Sequence, residues 1–380
     1  MIKETQKNNN HICLSGRIDI ENIIDINKEI DHQISEHPDM LPEFDATGLE
    51  YISSSGLRML MGISKRFKNK IAINNVSREI YEIFDMTGFT EFFKVRKKLK
   101  NISVAGCKMI GRGAFGTVYR LTPELIAKVY NKGVSFEECE HELEITKKAF
   151  MMGIPTAIPF EMAMADGEYA ALYELLDARS ISEVLRDDPS RYNLCVNKYS
   201  ELLKTIHAIH TKDETFTSRT REFQDKCSRL EYLIPDEHVG SFRTFYKSMA
   251  DSDNLIHGDY HAENIMMRGN EALVIDLDTL ATGDPLFDIS IAYMTTKAAP
   301  EGANVKFPGV PTETVHRFFD DFITSYYEGK TGREIENIIR KAGLISCVEG
   351  IYKMKDMADN EQIRPIFDRL LIKLCEKLDS

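Results

Sequence analysis

Asp259 and Asn264 stand five residues apart in the stretch His257-Gly258-Asp259-Tyr260-His261-Ala262-Glu263-Asn264. Asp276 follows at the end of a second apolar run, Leu273-Val274-Ile275. A carboxylate, an amide oxygen and a second carboxylate are the side chains that phosphoryl transfer from ATP requires. One takes the proton of the attacking hydroxyl, and the other two hold Mg²⁺ on the phosphates. A kinase catalytic loop has its Asp and Asn at this spacing, with a metal-binding Asp on the strand that follows. Asp259 is therefore read as the base, Asn264 and Asp276 as metal ligands. Plainer readings fit the same letters. Asp and Asn are turn formers, and His and Asp at such short spacing could ligate a metal directly.

The upstream residues favour the phosphoryl reading. Gly111-Arg112-Gly113-Ala114-Phe115-Gly116 follows an apolar pair, Met109-Ile110. Three glycines in a turn let backbone N–H groups approach phosphates closely. Dinucleotide-binding folds share that pattern. Here Val118 stands two residues after the last glycine, and Val118-Tyr119-Arg120 reads as a returning strand, not a helix. Ile126-Ala127-Lys128-Val129 then puts a lysine on a buried strand, where it wants both phosphate and a carboxylate partner. Glu142 shares a helix face with Ile145 and Ala149 and is the expected partner; Glu144 is the second choice. Ala170-Ala171-Leu172-Tyr173 reads as a strand running into Glu174-Leu175-Leu176, where backbone groups of Glu174 and Leu176 would meet adenine. His207 and His210, on a helix face with Leu203 and Ile206, are read as structural. The order of these pieces is what the metal-cluster reading leaves unexplained.

These elements need a frame. A chain of 380 residues exceeds what one core usually supports, so two domains are expected. The net charge of −12 and the pI of about 5.4 argue against nucleic acid or an anionic membrane as partner. An acidic surface suits a cationic acceptor. The seven cysteines are scattered without zinc or CxxC spacing, which suits a reducing cytoplasm. There is no secretory signal and no apolar run long enough to span a bilayer, so no membrane is expected as a partner.

The first hundred residues alternate strand and helix: Ile12-Cys13-Leu14, a helix with Ile23, Ile26, Ile30 and Ile34, a strand led by Phe44, a helix with Leu57 and Leu60, then Ile71-Ala72-Ile73 and a helix with Ile80 and Phe84. Ser53-Ser54-Ser55 sits where hydroxyls cap a helix N-terminus. In order, Leu14–Asp19, Phe44–Leu60 and Asn74–Phe89 resemble a STAS domain, the module of anti-sigma factor antagonists and sulfate transporter tails. The resemblance implies an α/β fold with a small mixed sheet over residues 1–103 and a protein partner. It also implies a phospho-acceptor serine at Ser55, before Gly56. Phosphorylated members carry Asp two residues earlier, where this chain has Ser53.

His257-Gly258-Asp259 together with Gly283-Asp284-Pro285-Leu286-Phe287-Asp288 resembles the aminoglycoside phosphotransferase and choline kinase-like superfamily. That resemblance implies an α+β bilobal kinase-like fold over 104–380, with an N-lobe of about 104–175 and a C-lobe of about 176–380. It implies ATP with Mg²⁺, transfer to a small-molecule hydroxyl, and a structural Asp288 that holds the catalytic loop. Asp278 is an extra carboxylate whose role the sequence leaves open. Asp320, Asp321, Glu328, Glu349, Asp356 and Asp359 could form an acidic acceptor pocket or simply face solvent. The chain has no Trp for an ammonium cage, though Tyr326 and Tyr327 could substitute. Three functions follow: a small-molecule kinase with a regulatory or interaction STAS module, a signalling kinase acting on a STAS serine in the same or another chain, or a non-catalytic nucleotide sensor.

Overall fold

The computed structural model describes residues 11–38, 40–298 and 306–379. The chain divides into two compact units between Ile102 and Ser103.

The first unit is a layer of strands carried by βαβ turns. Its strands are β1 (His11–Ile18), β2 (Glu43–Ile52), β3 (Ala72–Val76) and β4 (Lys94–Lys97), paired in chain order. Its helices are α1 (Ile23–Glu36), α2 (Ser54–Ser64) and α3 (Arg78–Met86). All three pairings are parallel, so among the described residues the expected mixed pairing is not seen. The reason is local: each strand returns to the sheet through a helix or a helical turn, and a crossover of that kind restores direction. Ile30 and Ile34 of α1 are buried as their spacing requires, beside Phe44, Leu60, Ile73 and Phe84. Ser53 and Ser77 cap α2 and α3, accepting from the backbone N–H of Gly56 and Ile80. A short strand, β5 (Lys100–Ile102), ends the unit.

In the second unit, five strands pair antiparallel in the order β9-β10-β8-β7-β6. They are β6 (Lys108–Arg112), β7 (Gly116–Arg120), β8 (Leu125–Tyr130), β9 (Pro159–Ala165) and β10 (Glu168–Glu174); α4 (Phe136–Met151) lies between β8 and β9 in the chain. The glycine turn thus joins two strands of one hairpin, as Val118 implied. The rest of the unit is mostly helical: a two-residue strand β11 (Arg179–Ser180), α5 (Ile181–Asp187), α6 (Tyr192–His207), α7 (Arg219–Leu230) and α8 (Asp236–Lys247) come first.

Four short strands then carry the catalytic stretch: β12 (Leu255–Ile256), β13 (Ile265–Arg268), β14 (Glu271–Val274) and β15 (Ala281–Thr282). The β13–β14 hairpin pairs Ile265 with Val274, which sets Asn264 and Ile275 side by side. The β12–β15 pair sets Ile256 against Ala281. Two ladders therefore grip the loop of residues 257–264 at both ends. Helices α9 (Leu286–Thr295), α10 (Thr312–Tyr326), α11 (Gly332–Met354) and α12 (Arg364–Asp379) complete the unit. Phe318 and Phe322 of α10 pack on Tyr199, which in turn meets Tyr260, and Phe319 packs on Tyr293.

At Gly56, the third residue of α2, an added Cβ would lie 2.7 Å from Ile52 Cγ1, 2.9 Å from Ile18 Cγ2 and 3.2 Å from Ile18 O. Both isoleucines are buried in β-strands and cannot swing away. Gly56→Ala should cost the first unit about 1–3 kcal/mol through overpacking. Faster hydrogen exchange at the amides of β1 and β2, with those of α9 and α11 unchanged, would report it.

Candidate active site

Lys128 projects from the middle of β8, paired on one side with Val118 and on the other with Ala171. Its Nζ lies 2.6 Å from Glu142 Oε1 and 3.6 Å from Asp276 Oδ1. Glu142 is on the buried face of α4, one turn before Thr146. Glu144 instead approaches Lys148 at 3.7 Å, and Glu138 closes a capping box with Ser135. Burial alone would lower the Lys128 pKa; the carboxylates of Glu142 and Asp276 outweigh it and raise it, so the ammonium is firmly charged.

A cavity of about 380 Å³ opens beside this lysine. Gly111, Gly113, Gly116, Val118, Lys128, Glu142, Glu174 and Leu176 all line it, with Asn264 and Asp276. The structure thus brings together every residue that the sequence offered for nucleotide and metal. Asp259 stands next to the cavity wall, tied to Asn264. Ser55 belongs to the first unit, where its hydroxyl is 2.8 Å from that of Ser53.

The glycine turn has its own supports. Gly113 N–H donates to Gly116 O, and Asn131 donates its amide to Ala114 O at 2.7 Å and its backbone N–H to Phe115 O at 2.8 Å. A Cβ at Gly116 would sit 2.4 Å from Val129 O, so only glycine fits there. At the other wall, Glu174 N–H and Leu175 N–H donate to Ile158 O and Glu124 O. Among the described residues Leu176 N–H donates to no protein acceptor, which leaves it for a ligand. Ile110, Val118, Ile126, Met266 and Leu277 supply apolar surface for a flat ring.

The loop of 257–264 is held at nearly every residue. Asp288, fully buried at the start of α9, accepts from His257 N–H and Gly258 N–H, both at 2.7 Å, and pairs with His207 Nε2 at 2.9 Å. His207 Nδ1 meets the Tyr326 hydroxyl at 2.6 Å. Both His207 and Asp288 therefore have the structural place expected of them. Asp259 N–H donates to His257 Nδ1 at 3.2 Å, which assigns the proton of that ring to Nε2, 3.2 Å from Ile275 O. Burial lowers the His257 pKa despite Asp288, in keeping with one neutral tautomer. Tyr260 and Tyr199 each donate a hydroxyl to the other's carbonyl, at 2.7 and 2.9 Å. Glu263 accepts from the buried Ser182 hydroxyl.

Gly258 has φ +82°, and a Cβ there would lie 2.4 Å from Thr279 O. Protein kinases carry Arg at this position; the close approach of Thr279 excludes it here. Asn264 donates Nδ2 to Asp259 O at 3.0 Å and to Asp259 Oδ2 at 3.4 Å, which points its Oδ1 away from that carboxylate. Asp276 adopts φ +62°, a left-handed conformation rare outside glycine, and its side chain is 45% exposed. Burial would raise the Asp259 carboxyl; His261 and Lys306 more than offset it and hold it down at about 2. Asp278 is pushed up to about 6, first by burial and then by Asp276 and Glu142.

Sequence reasoning gave no role to Asn131 or Ser182, and to His261 only that of a ligand in the metal-cluster alternative. Their signal is their partners, which come from other elements. The acidic pocket does not form as a set. Glu349 is paired with Lys226 at 2.9 Å and Arg219 at 3.4 Å, Asp320 with Lys297 at 2.6 Å, and Asp321 with the Tyr192 hydroxyl at 2.8 Å. Asp356 is paired with Lys355 at 2.8 Å. Tyr326 is engaged by His207 and is no free cage wall.

Residues 106–308 match the model of the phosphotransferase enzyme family, and residues 2–102 match that of the STAS domain. No curated protein matches the chain. Among solved structures, ADP-bound aminoglycoside phosphotransferase APH(2'')-Ib is similar at a TM-score of 0.50 and 16% identity, over 80% of this chain and 99% of that one. The apo form of a thermostable mutant of aminoglycoside phosphotransferase APH(4)-Ia reaches 0.50 at 8% identity, over 72% and 94%. A choline/ethanolamine kinase family protein from Mesorhizobium loti reaches 0.49 at 12% identity, over 72% and 88%. The family match and the two likenesses at 0.50 give the second unit the phosphotransferase fold, and at such identities the likenesses bear on the fold alone.

Asp288 is also the clearest acid-sensitive group. Burial would raise its carboxyl, but the hydrogen bonds from His207 and the loop amides lower it. A lowered folded pKa stabilises above the ordinary aspartate value and loses that contribution as the pH falls through the folded one. Asp288→Ala should cost about 2–5 kcal/mol by orphaning two amides and an imidazole. Asp288→Asn, which does not titrate, should lose less stability than wild type as the pH falls below the ordinary aspartate value of 3.8, read by urea unfolding.

Proposed function

The chain belongs to the phosphotransferase enzyme family, and on that premise we propose that it transfers the γ-phosphate of ATP, with Mg²⁺, to a hydroxyl of a small molecule. The observation that carries this reading is the single cavity edge shared by Lys128, Asn264 and Asp276, with Asp259 bonded to Asn264. Leu176 N–H and Glu174 C=O would hold the adenine edge, and the apolar walls its faces. The glycine turn presents backbone N–H groups to the phosphates, and Lys128, held by Glu142, places its charge on them.

The donor set fits Mg²⁺. Asn264 Oδ1 and the Asp276 carboxylate are hard oxygen donors, and two side chains with substrate phosphates are how this ion is usually held. The Asp278 carboxyl is raised first by burial and then by Asp276 and Glu142, and a divalent cation on Asp276 would relieve the second of these. Bound there, the ion would neutralise charge on the phosphate oxygens. Asp259 takes the proton of the acceptor hydroxyl as its oxygen bonds to the γ-phosphorus. The bond from that phosphorus to the β–γ bridging oxygen breaks, and ADP leaves. The Asp259 carboxyl, held down at about 2, is ionised throughout the neutral range and is ready to act.

The STAS unit has a regulatory or interaction role in this reading. A second reading, that a STAS serine is itself the acceptor, rests on Ser55. It sits half-exposed in the first turn of α2, where backbone N–H groups and the helix dipole favour a phosphate. Its hydroxyl contact with Ser53 fills the place where phosphorylated relatives carry Asp.

Asp259→Ala should reduce ADP release by about 10²–10⁴-fold in a screen of sugars, amino alcohols, nucleosides and aminoglycosides. ADP affinity should stay within a few-fold by calorimetry. Undiminished turnover would remove Asp259 as the base. For the second reading, incubation of the whole chain with MgATP should add about 80 Da at Ser55 by mass spectrometry, the mass of one phosphoryl group. An unmodified Ser53–Ser55 peptide would leave the small-molecule reading alone.

A further inference from the structure

His261 is 1% exposed, and neither ring nitrogen makes a well-formed hydrogen bond with the protein. A buried polar side chain without a partner costs about 1–3 kcal/mol, and native structures retain few of them. Among the described residues its close polar contact is Asp259: Nε2 lies 3.2 Å from Oδ2, within ion-pair reach but off the line of a good hydrogen bond. The chain on either side of the ring is held. Tyr260 before it is locked by the reciprocal bonds with Tyr199. Its own carbonyl accepts from Asn264 N–H at 2.9 Å. The imidazole thus has little freedom except rotation about its own axis, and that rotation changes its aim at the carboxylate.

We propose that His261 is a positioning residue for the base: its Nε2–H and Asn264 Nδ2 together occupy Asp259 Oδ2, so that Oδ1 faces the acceptor hydroxyl. This rests on Asp259 being the base. Catalytic hydrogen bonds are often long and misaligned before the substrate is bound and tighten in the loaded complex. Two donors from one side of the chain fix the plane of the carboxylate, because a carboxylate with one donor still rotates about its Cβ–Cγ bond. The consequence is asymmetric. Asn264 uses one end of its amide for the base and the other for the metal. His261 has no such second duty, so its loss should misalign proton transfer while leaving the nucleotide site intact.

The test compares His261→Leu, which keeps the volume and deletes the donor, with His261→Gln, whose amide can place an N–H near the position of Nε2. The expected result is a fall in kcat for ADP release from MgATP of about ten- to a hundred-fold in the Leu variant, the scale of a misplaced catalytic group. KM for ATP should be unchanged, and Gln should recover most of the loss at an equal melting temperature. Equal losses in both variants, following the melting temperature, would mean that the residue only fills space. If Asp259→Ala abolishes turnover but His261→Leu does not, the base stands and this inference falls. If Asp259→Ala turns over like wild type, the assignment of the base falls first. A readout independent of turnover is the ¹⁵N-histidine spectrum of the nucleotide-free chain. His261 should carry a proton on Nε2 and shift on Asp259→Asn; a bare Nε2 would overturn the proposal.

Discussion

One buried carboxylate decides the shape of the catalytic stretch. Asp288 reaches from the first turn of α9 to two consecutive amides, His257 N–H and Gly258 N–H. A loop that turns through a glycine at φ +82° cannot satisfy those amides by regular pairing. An ionised acceptor does it instead, with charge-assisted bonds at 2.7 Å. Burying the charge is acceptable because His207 supplies a third partner and is itself held by Tyr326. The chain Tyr326–His207–Asp288 thus ties α10, α6 and α9 to one short loop. Whatever moves those helices moves Asp259.

From that anchor the order of the site follows residue by residue. With His257 fixed, its ring accepts from Asp259 N–H and donates to Ile275 O, which links the loop to the end of β14. Ile275 N–H in turn donates to Asn264 O at 2.9 Å. The proposed base and both proposed metal ligands therefore lie on one hydrogen-bonded frame. Only Lys128 comes from the β-rich lobe; Glu142 of the same lobe holds it, and its approach to Asp276 at 3.6 Å crosses the cavity to the other lobe. The left-handed turn at Asp276 belongs to the same logic. A strained residue persists where its surroundings over-determine it, and that is common where a side chain must face a ligand.

Much of this was legible in the chain. The glycine hairpin, the lysine strand and the Asp–Asn–Asp order are local patterns whose spacing constrains geometry. So is Glu142, because helical periodicity put it on the face of Ile145 and Ala149 and left Glu144 outside. The alternating strands and helices of the first unit were legible for the same reason. What was not legible depends on long-range pairing. The direction of the strands in the first sheet is set by crossovers, not by any strand's composition. Asn131, which holds the tip of the glycine turn, looks like any residue of a surface turn. His261 reads as one letter of a motif, and its isolation is a property of what surrounds it. The acids of the C-terminal helices were equally ambiguous, since a carboxylate that faces a substrate and one that faces a lysine have the same spacing along a helix.

That last ambiguity bears on what the site can select. Glu349 is buried between Lys226 and Arg219 and serves the packing of α11 on α7. Asp320, Asp321 and Asp356 are each paired with a cation or a hydroxyl. Recruiting any of them to a cationic acceptor would first break a contact already made, and a surface pair is worth only about 0–1 kcal/mol while a buried one is costly to open. Charge on the C-terminal helices is therefore a weak basis for acceptor choice. The negative charge that lines the cavity belongs to Asp276, Glu142 and Glu174, with Asp278 coupled to it from outside the lining, and in the proposed reaction the metal and the transferred phosphoryl group would make the first claim on it. Near the proposed base, His261 and Lys306 hold the Asp259 carboxyl down. The structure invests its charge in the shared chemistry of the fold, so discrimination among hydroxylated acceptors falls to shape and hydrogen bonding more than to net charge.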